Sequence, residues 1–525
     1  MTHTADPAGT PCRIHESFFR WARSHAAKPA LVDERGSISY GELAGAVEAT
    51  AQRLRDAGVR AGDRVLLVGE NCVALAVCIL AASRIDAWSA TVNARLSPRE
   101  IDHFLAHSGA RRALYFSAAS EPAKAHGEQH GAQAVEWPGI GELLLGPLNE
   151  QARPEPVEHD PAKQVATMVY TSGTTGAPKA VMLTHANLLF VAANTCRMRD
   201  LRPDDAIYGV LPLSHVYGLA SVLGGALIGG AALHLVARYQ PAALARALVE
   251  DGISVMHGAP AMYAKLLEWS AVSGTPLRAP RLRVAQSGGA PLTLPLKQAF
   301  EKTFGLPLHN GYGMSEASPS ICQTRLDAPR ADCSVGPAIP GIEVKLHRAE
   351  ESPEGVGELW VRGPNVMKGY YRAPELTAET VTPDGWLRTG DLATCEADGA
   401  IAIVGRSKEL IIRSGFNVYP VEVEQVLNAH PAVVQSAVVG RAVEGNEEVV
   451  AFVEPVQGAA IDLGALQAWL KANLSAYKLP SEIVVLDHLP AAATGKVLRK
   501  ELQRMAARRA DGDKPDFASE ARVVG

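Results

Sequence analysis

The segment Tyr170 to His185, YTSGTTGAPKAVMLTH, constrains this chain more than any other. Six consecutive Thr, Ser or Gly residues (Thr171, Ser172, Gly173, Thr174, Thr175 and Gly176) leave the strand-like run VATMVY and lead to Lys179. Glycines let backbone amides approach an anion unhindered, hydroxyls add donors and a lysine adds charge, so such a loop can wrap phosphates. It is not the Walker type, in which Ser or Thr follows Gly-Lys, because Pro178 precedes Lys179 and Ala180 follows it. A loose Gly/Thr cluster by itself is more often a solvated turn; strand, ordered loop and then an apolar helix-like segment from Ala186 together mark an α/β unit.

A chain of 525 residues is too long for one core and predicts two or more domains. Residues 14–160 alternate helical patterns (Tyr40 to Ala57) with apolar strand-like runs (Arg64 to Gly69, Arg112 to Ser117), which predicts another parallel α/β unit. Short strands separated by Gly and Pro, such as GIEVKLH, GELWVRG and GAIAIVG, fill Ser334 to Gly405 and predict a small antiparallel subdomain. After Arg406 come a Pro-started helix (Pro420 to Ala429), paired strands (Val433 to Val439, Glu447 to Glu454) and an amphipathic helix (Leu463 to Leu474). The expected fold class is α/β: a large N-terminal domain, 12–406, of two α/β subdomains plus a small β-barrel subdomain, then a small α+β C-terminal domain, 407–510. Residues 511–525 are expected to form a mobile tail.

A net charge of −5 is too small a bias for nucleic-acid binding or an electrostatic membrane anchor. Seven cysteines without a Cys-x-x-Cys pair read as reduced residues, and the N-terminus lacks the pattern of a secretory signal, so a cytoplasmic address is expected. Gly218 to Ala237 approaches bilayer-spanning length, but its glycines, Ser221 and His234 suit a buried helix and strand better, so no membrane span is expected.

Six further segments stand in order around the phosphate-type loop: LPLSHVYG (Leu211 to Gly218), SGGAPL (Ser287 to Leu292), NGYGMSEAS (Asn310 to Ser318), RTGD (Arg388 to Asp391), GRSKELIIRSGFNVYPVEVE (Gly405 to Glu424) and ATGKVLRKEL (Ala493 to Leu502). In these seven motifs and their order, nearly the whole chain resembles the ANL superfamily of adenylate-forming enzymes: acyl-CoA synthetases, luciferases and the adenylation domains of peptide synthetases. Ala180 stands where Gly is common, Ser315 where Thr is commoner, and Ala491 to Ala493 where Pro or polar residues are frequent. None of these departures removes a group the chemistry needs.

The resemblance implies ATP-dependent activation of a small carboxylic acid as acyl-AMP and its transfer to coenzyme A, with release of AMP and pyrophosphate and with Mg²⁺ as metal. Lys496 would bridge carboxylate and α-phosphate, where two anions must be brought together. Glu316 would supply the hard oxygen Mg²⁺ prefers, and Ser315 and His215 complete the implied catalytic set. The loop Thr171 to Gly176 with Lys179 would hold phosphates. Gly288, Gly289, Ala290, Asn310, Gly311, Tyr312 and Gly313 would form the adenine slot, and Asp391, assisted by Arg406, would accept the ribose hydroxyls. His215, Val216, Tyr217, Gly218, Gly313 and Met314 would wall the acyl pocket in an arrangement similar to aryl and medium-chain acyl ligases. Ser414, Gly415 and Phe416 would meet CoA, and Lys408 would be the hinge of a moving domain. Taken singly, these residues read more simply as a turn aspartate, surface lysines or a core histidine.

Three other functions share the motifs or the fold. An acyl-AMP ligase loading a free-standing carrier protein is disfavoured by the short Ser315 to Gly336 segment, and the chain ends too soon after Lys496 for a fused carrier domain. Oxidative decarboxylation of the adenylate would require oxygen. A binding module without catalysis is expected to have lost Lys496, Glu316 or Asp391, all of which are present. The acid and the oligomeric state, a homodimer included, stay open.

Overall fold

In the computed structural model, which describes residues 11–171, 179–348, 354–414, 416–443, 446–456, 461–491, 496–510 and 523–524, two eight-stranded sheets carry most of the chain. The first has parallel neighbours Pro29–Asp33, Ala232–Leu235, Ala206–Gly209, Val255–Gly258, Val284–Ser287 and Leu308–Gly313, with antiparallel strands at both edges. The second has Arg64–Gly69 at its centre, parallel to Trp88–Asn93 and Arg112–Tyr115. Both carry helices on their faces, so their strands are apolar on both sides. Along Arg64–Gly69, Val65 and Leu67 enter the core shared with the first sheet, while Leu66 and Val68 enter the core beyond the opposite face, as the two-residue pleat requires.

The helix Val73–Arg84 is apolar all round, and its residues Val73 to Ser83 are buried in that shared core. Helix Tyr40–Asp56 starts at a capping box between Ser39 and Glu42, and His185–Met198 at one between Thr184 and Asn187. The Gly-rich run from Gly218 folds into the π-helix Tyr217–Gly224, the short helix Gly225–Gly229 and the strand Ala232–Leu235. Among the described residues no helix is long and apolar enough to cross a membrane.

Two details differ from the sequence-based expectation. Lys179–Thr184 is a strand antiparallel to Val165–Thr171, so the Gly/Thr loop joins two strands before the helix begins. The helix begins at His185, one residue before the expected Ala186, and the strand, left unassigned in the sequence, runs directly into it with no turn residue between them. The small subdomain is a four-stranded antiparallel sheet of Glu343–His347, Gly357–Arg362, Leu387–Cys395 and Ile401–Arg406, in that spatial order. Beyond it, Val433–Val443, Asn446–Pro455 and Glu482–Val485 pair into the C-terminal sheet, packed by helices Pro420–Asn428 and Leu463–Asn473. A mobile tail was expected over 511–525; residues 511–522 and 525 lie outside the described residues, and Val523–Val524 instead pairs antiparallel with Glu482–Val485.

Candidate active site

His215, Gly288 and Asn310 to Gly313 stand where parallel strands of the first sheet end, the position at which open α/β sheets bind ligands. Asn71, just past the central strand of the second sheet, donates to Gly209 O and Leu211 O, each at 2.9 Å, and accepts from Leu213 N at 2.8 Å. Thr91 Oγ1 donates to Leu213 O at 3.2 Å. One sheet thus clamps the loop leaving the other, and that loop presents His215.

His215 is partly accessible but protein surrounds most of it. Burial, and then the charge of Lys496, hold its imidazole down at about 4, so it is neutral near pH 7. Its Nδ1 accepts the Tyr217 backbone N–H at 3.2 Å, which leaves the proton on Nε2. Tyr217 meets His257 edge to face, with centroids 5.8 Å apart, and lies 3.4 Å by its hydroxyl from His257 Nδ1. His257 is buried, and its Nε2 has no hydrogen-bond partner among the described residues. Close approach of backbone explains the glycines nearby. A Cβ on Gly288 would lie 3.1 Å from the Tyr217 ring, one on Gly218 2.3 Å from Pro212 O, and one on Gly313 2.0 Å from Pro319 O. Val216 is buried in the core behind, and Met314 packs partly buried against the core of the small subdomain.

Strand Leu308–Gly313 carries Asn310, Gly311, Tyr312 and Gly313. Asn310 is buried, donating from its amide to Cys333 O at 2.9 Å and accepting from Gly311 N at 3.0 Å, so it shapes the strand end. Tyr312 donates its hydroxyl to the Asp391 carboxylate, whose other oxygen accepts from Arg406 Nε at 2.8 Å. Asp391 and Arg406 face each other across the hairpin of Leu387–Cys395 and Ile401–Arg406, which is why residues fifteen apart meet. Gly288 is buried beside this strand, while Gly289, at φ 82°, and Ala290 continue the chain outward.

Ser315 and Glu316 lie in the 3-10 turn Ser315–Ala317 that follows. Glu316 Oε1 accepts from the Tyr370 hydroxyl at 2.7 Å, and Lys179 Nζ sits 5.2 Å from the centroid of the same ring. Tyr370 therefore joins the end of the phosphate-type loop to the candidate metal carboxylate. It was missed in the sequence because it belongs to the two-residue strand Gly369–Tyr370, with no motif around it. Ser172, Gly173, Thr174, Thr175 and Gly176 lie outside the described residues; Thr171 and Lys179, which flank them, are register partners.

Lys496 comes from the C-terminal domain. Its side chain is exposed; neighbouring protein and then Arg406 lower its ammonium, and Asp391 and Glu409 act oppositely. Lys496 therefore stands within electrostatic reach of both His215 and the Asp391–Arg406 pair. Lys408 is exposed in the 3-10 turn Ser407–Glu409 between the two parts. Ser414 takes φ 52° and donates its backbone N–H to Asn446 Oδ1 at 2.7 Å. Phe416 is exposed and stacks on Tyr477 with centroids 4.9 Å apart. Gly415, between them, lies outside the described residues.

The chain is thus an α/β protein with a large N-terminal domain, whose strand ends carry the candidate residues, and a small C-terminal domain. The family model described as AMP-binding enzyme matches residues 18–371, and that of the AMP-binding enzyme C-terminal domain matches residues 422–496. The chain belongs to the AMP-binding enzyme family and is an AMP-forming ligase of the acid–thiol class. It is 36% identical over 478 residues to a feruloyl-CoA synthase of an Amycolatopsis species, covering 89% of this chain and 94% of that one. A benzoate CoA ligase from Burkholderia xenovorans LB400 superposes with a TM-score of 0.81 at 30% identity, covering 94% of this chain and 99% of the other. ATP-bound MatB from Rhodopseudomonas palustris also gives 0.81, at 29% identity and the same coverages of 94% and 99%.

Proposed function

We propose that this chain activates an aromatic carboxylic acid with ATP and transfers the acyl group to coenzyme A. In the first step a carboxylate oxygen attacks the α-phosphorus and pyrophosphate leaves. In the second, the thiol attacks the acyl carbon, and AMP leaves with the bonding electron pair. The observation that carries this reading is the Tyr312–Asp391–Arg406 cluster at the strand ends, with Arg406 Nε 2.8 Å from Asp391 Oδ1, whose charges and that of Lys496 act on one another. A cation at that point can offset the repulsion between carboxylate and phosphate. Neutral His215, with its proton on Nε2, can donate to the carboxylate without adding a second charge. Asp391, oriented by Arg406 and Tyr312, is the acceptor for ribose hydroxyls.

Glu316 suits Mg²⁺, which is commonly held by one or two carboxylates together with substrate phosphates rather than in an all-protein cage. Bound there, Mg²⁺ would neutralise phosphate charge. An aromatic acid is favoured by the ring of Tyr217, which lies against the Gly288 backbone and meets His257 edge to face and so offers a flat apolar wall. Feruloyl-CoA synthase and benzoate CoA ligase, which the chain resembles, point the same way and favour CoA over a carrier protein.

The test is pyrophosphate release and thioester formation across aryl, short, medium and dicarboxylic acids, with and without CoA. Aryl acids are expected to react fastest and to give acyl-CoA. Preference for a short or dicarboxylic acid, or a thioester formed only on an added carrier protein, would overturn the proposal. Lys496→Ala should slow adenylate formation by about 100-fold or more while leaving thioester formation from supplied acyl-AMP nearly intact, since only the first step joins two anions.

A further inference from the structure

Arg499 opens the helix Arg499–Ala510, where a cation has the wrong sign for the positive end of a helix dipole. Two carboxylates hold it there: NH2 lies 2.7 Å from Glu424 Oε1 and Nε 3.3 Å from Glu409 Oε2. Glu424 is buried and accepts from Val438 N at 2.7 Å, so its pair with Arg499 belongs to the core of the C-terminal domain. Glu409 is placed differently. It ends the 3-10 turn that follows the last strand of the N-terminal domain, and its other oxygen faces Arg406 NH1 at 3.7 Å. Arg406 is itself joined to Asp391 at 2.8 Å. Asp391, Arg406, Glu409, Arg499 and Glu424 thus alternate in charge from the candidate ribose site to the interior of the second domain.

We propose that Glu409 is a positioning residue for adenylation: its carboxylate bridges Arg406 and Arg499 across the hinge and holds the pose in which Lys496 reaches the reacting phosphate. Three cations, Lys496, Arg406 and Arg499, gather here, and the charge of Arg406 opposes protonation of the other two. Glu409 is the anion that faces one arginine on each side of Lys408. Rotation about Lys408 would carry Glu409 along with Arg499 and away from Arg406, so the bridge is specific to this pose. The inference rests on the reading of Lys408 as a hinge.

Glu409→Gln is the decisive variant, because Arg406 keeps Asp391 and Arg499 keeps Glu424. Adenylation, followed by pyrophosphate exchange, is expected to fall about tenfold while thioester formation from supplied acyl-AMP holds or rises, a shift in the ratio of half-reactions that loss of fold does not produce. Glu409→Asp should recover part of the loss, and the urea midpoint should stay near that of the wild type. Equal losses in both half-reactions, or a ratio within about twofold of wild type, would overturn the proposal. Lys408→Pro separates the two readings. If that variant still makes acyl-CoA normally, the rotation reading fails. If it stalls at the adenylate while Glu409→Gln keeps the wild-type ratio, rotation stands and the bridge fails.

Discussion

At the scale of single residues the site separates into two functions that substitution can pull apart. Asp391→Ala and Arg406→Ala should raise the KM for ATP at least about tenfold without reordering the preference among acids, because their pairing sits on the small subdomain hairpin. Tyr217→Ala should do the reverse: its ring packs against the Gly288 backbone and His257. A shift of about tenfold in kcat/KM between two aryl acids of different ring substitution is the expected readout, within the range that one pocket contact controls. An unchanged acid profile would remove Tyr217 from the pocket wall.

At the scale of elements, the strand ends work because backbone passes where no side chain fits. Gly313 ends Leu308–Gly313 with Pro319 O only 2.0 Å from where a Cβ would stand, so Gly313→Ala must shift the turn that carries Ser315 and Glu316. A loss of about 2 kcal/mol in urea unfolding, with adenylation falling alongside, is expected from such overpacking. Gly289 offers the contrast. At φ 82° with nothing within 4 Å of its Cβ position, Gly289→Ala should cost only the conformational strain of about 1 kcal/mol.

For the whole molecule, two behaviours follow from how the parts meet. Lys408→Pro should leave adenylation within about threefold and suppress thioesterification by about 100-fold, since a fixed φ in the connecting turn would block the proposed domain rotation. The second is pH dependence. Burial holds His215 and His309 neutral down to about 4 and His257 to about 3, below the ordinary value of 6.5. Between those values the unfolded chain binds protons that the folded chain refuses, so stability contributed by these histidines is complete above pH 6.5 and falls as pH drops toward 4. Urea midpoints measured from pH 7.5 to 4.5 should decline through that window, and His309→Gln should flatten the decline.

What the sequence by itself determined was local or periodic. The strand Val165–Thr171, the helix Tyr40–Asp56 and the α+β pattern after Arg406 follow from pleat and helix periodicity, which a chain displays in its own order of residues. Seven ordered motifs likewise carried the family and the candidate residues, because glycine loops and their neighbouring charges are contiguous. The tertiary structure alone decided the pairings between distant residues. Tyr370 reaches Glu316 from 54 residues away, Arg499 reaches Glu424 from 75, and Asn71 clamps the backbone of Gly209 from 138. Each of these side chains is ordinary in its own segment. Its role arises only when sheet register and domain packing bring a partner within hydrogen-bonding distance, and local sequence carries no period or spacing that encodes such a meeting.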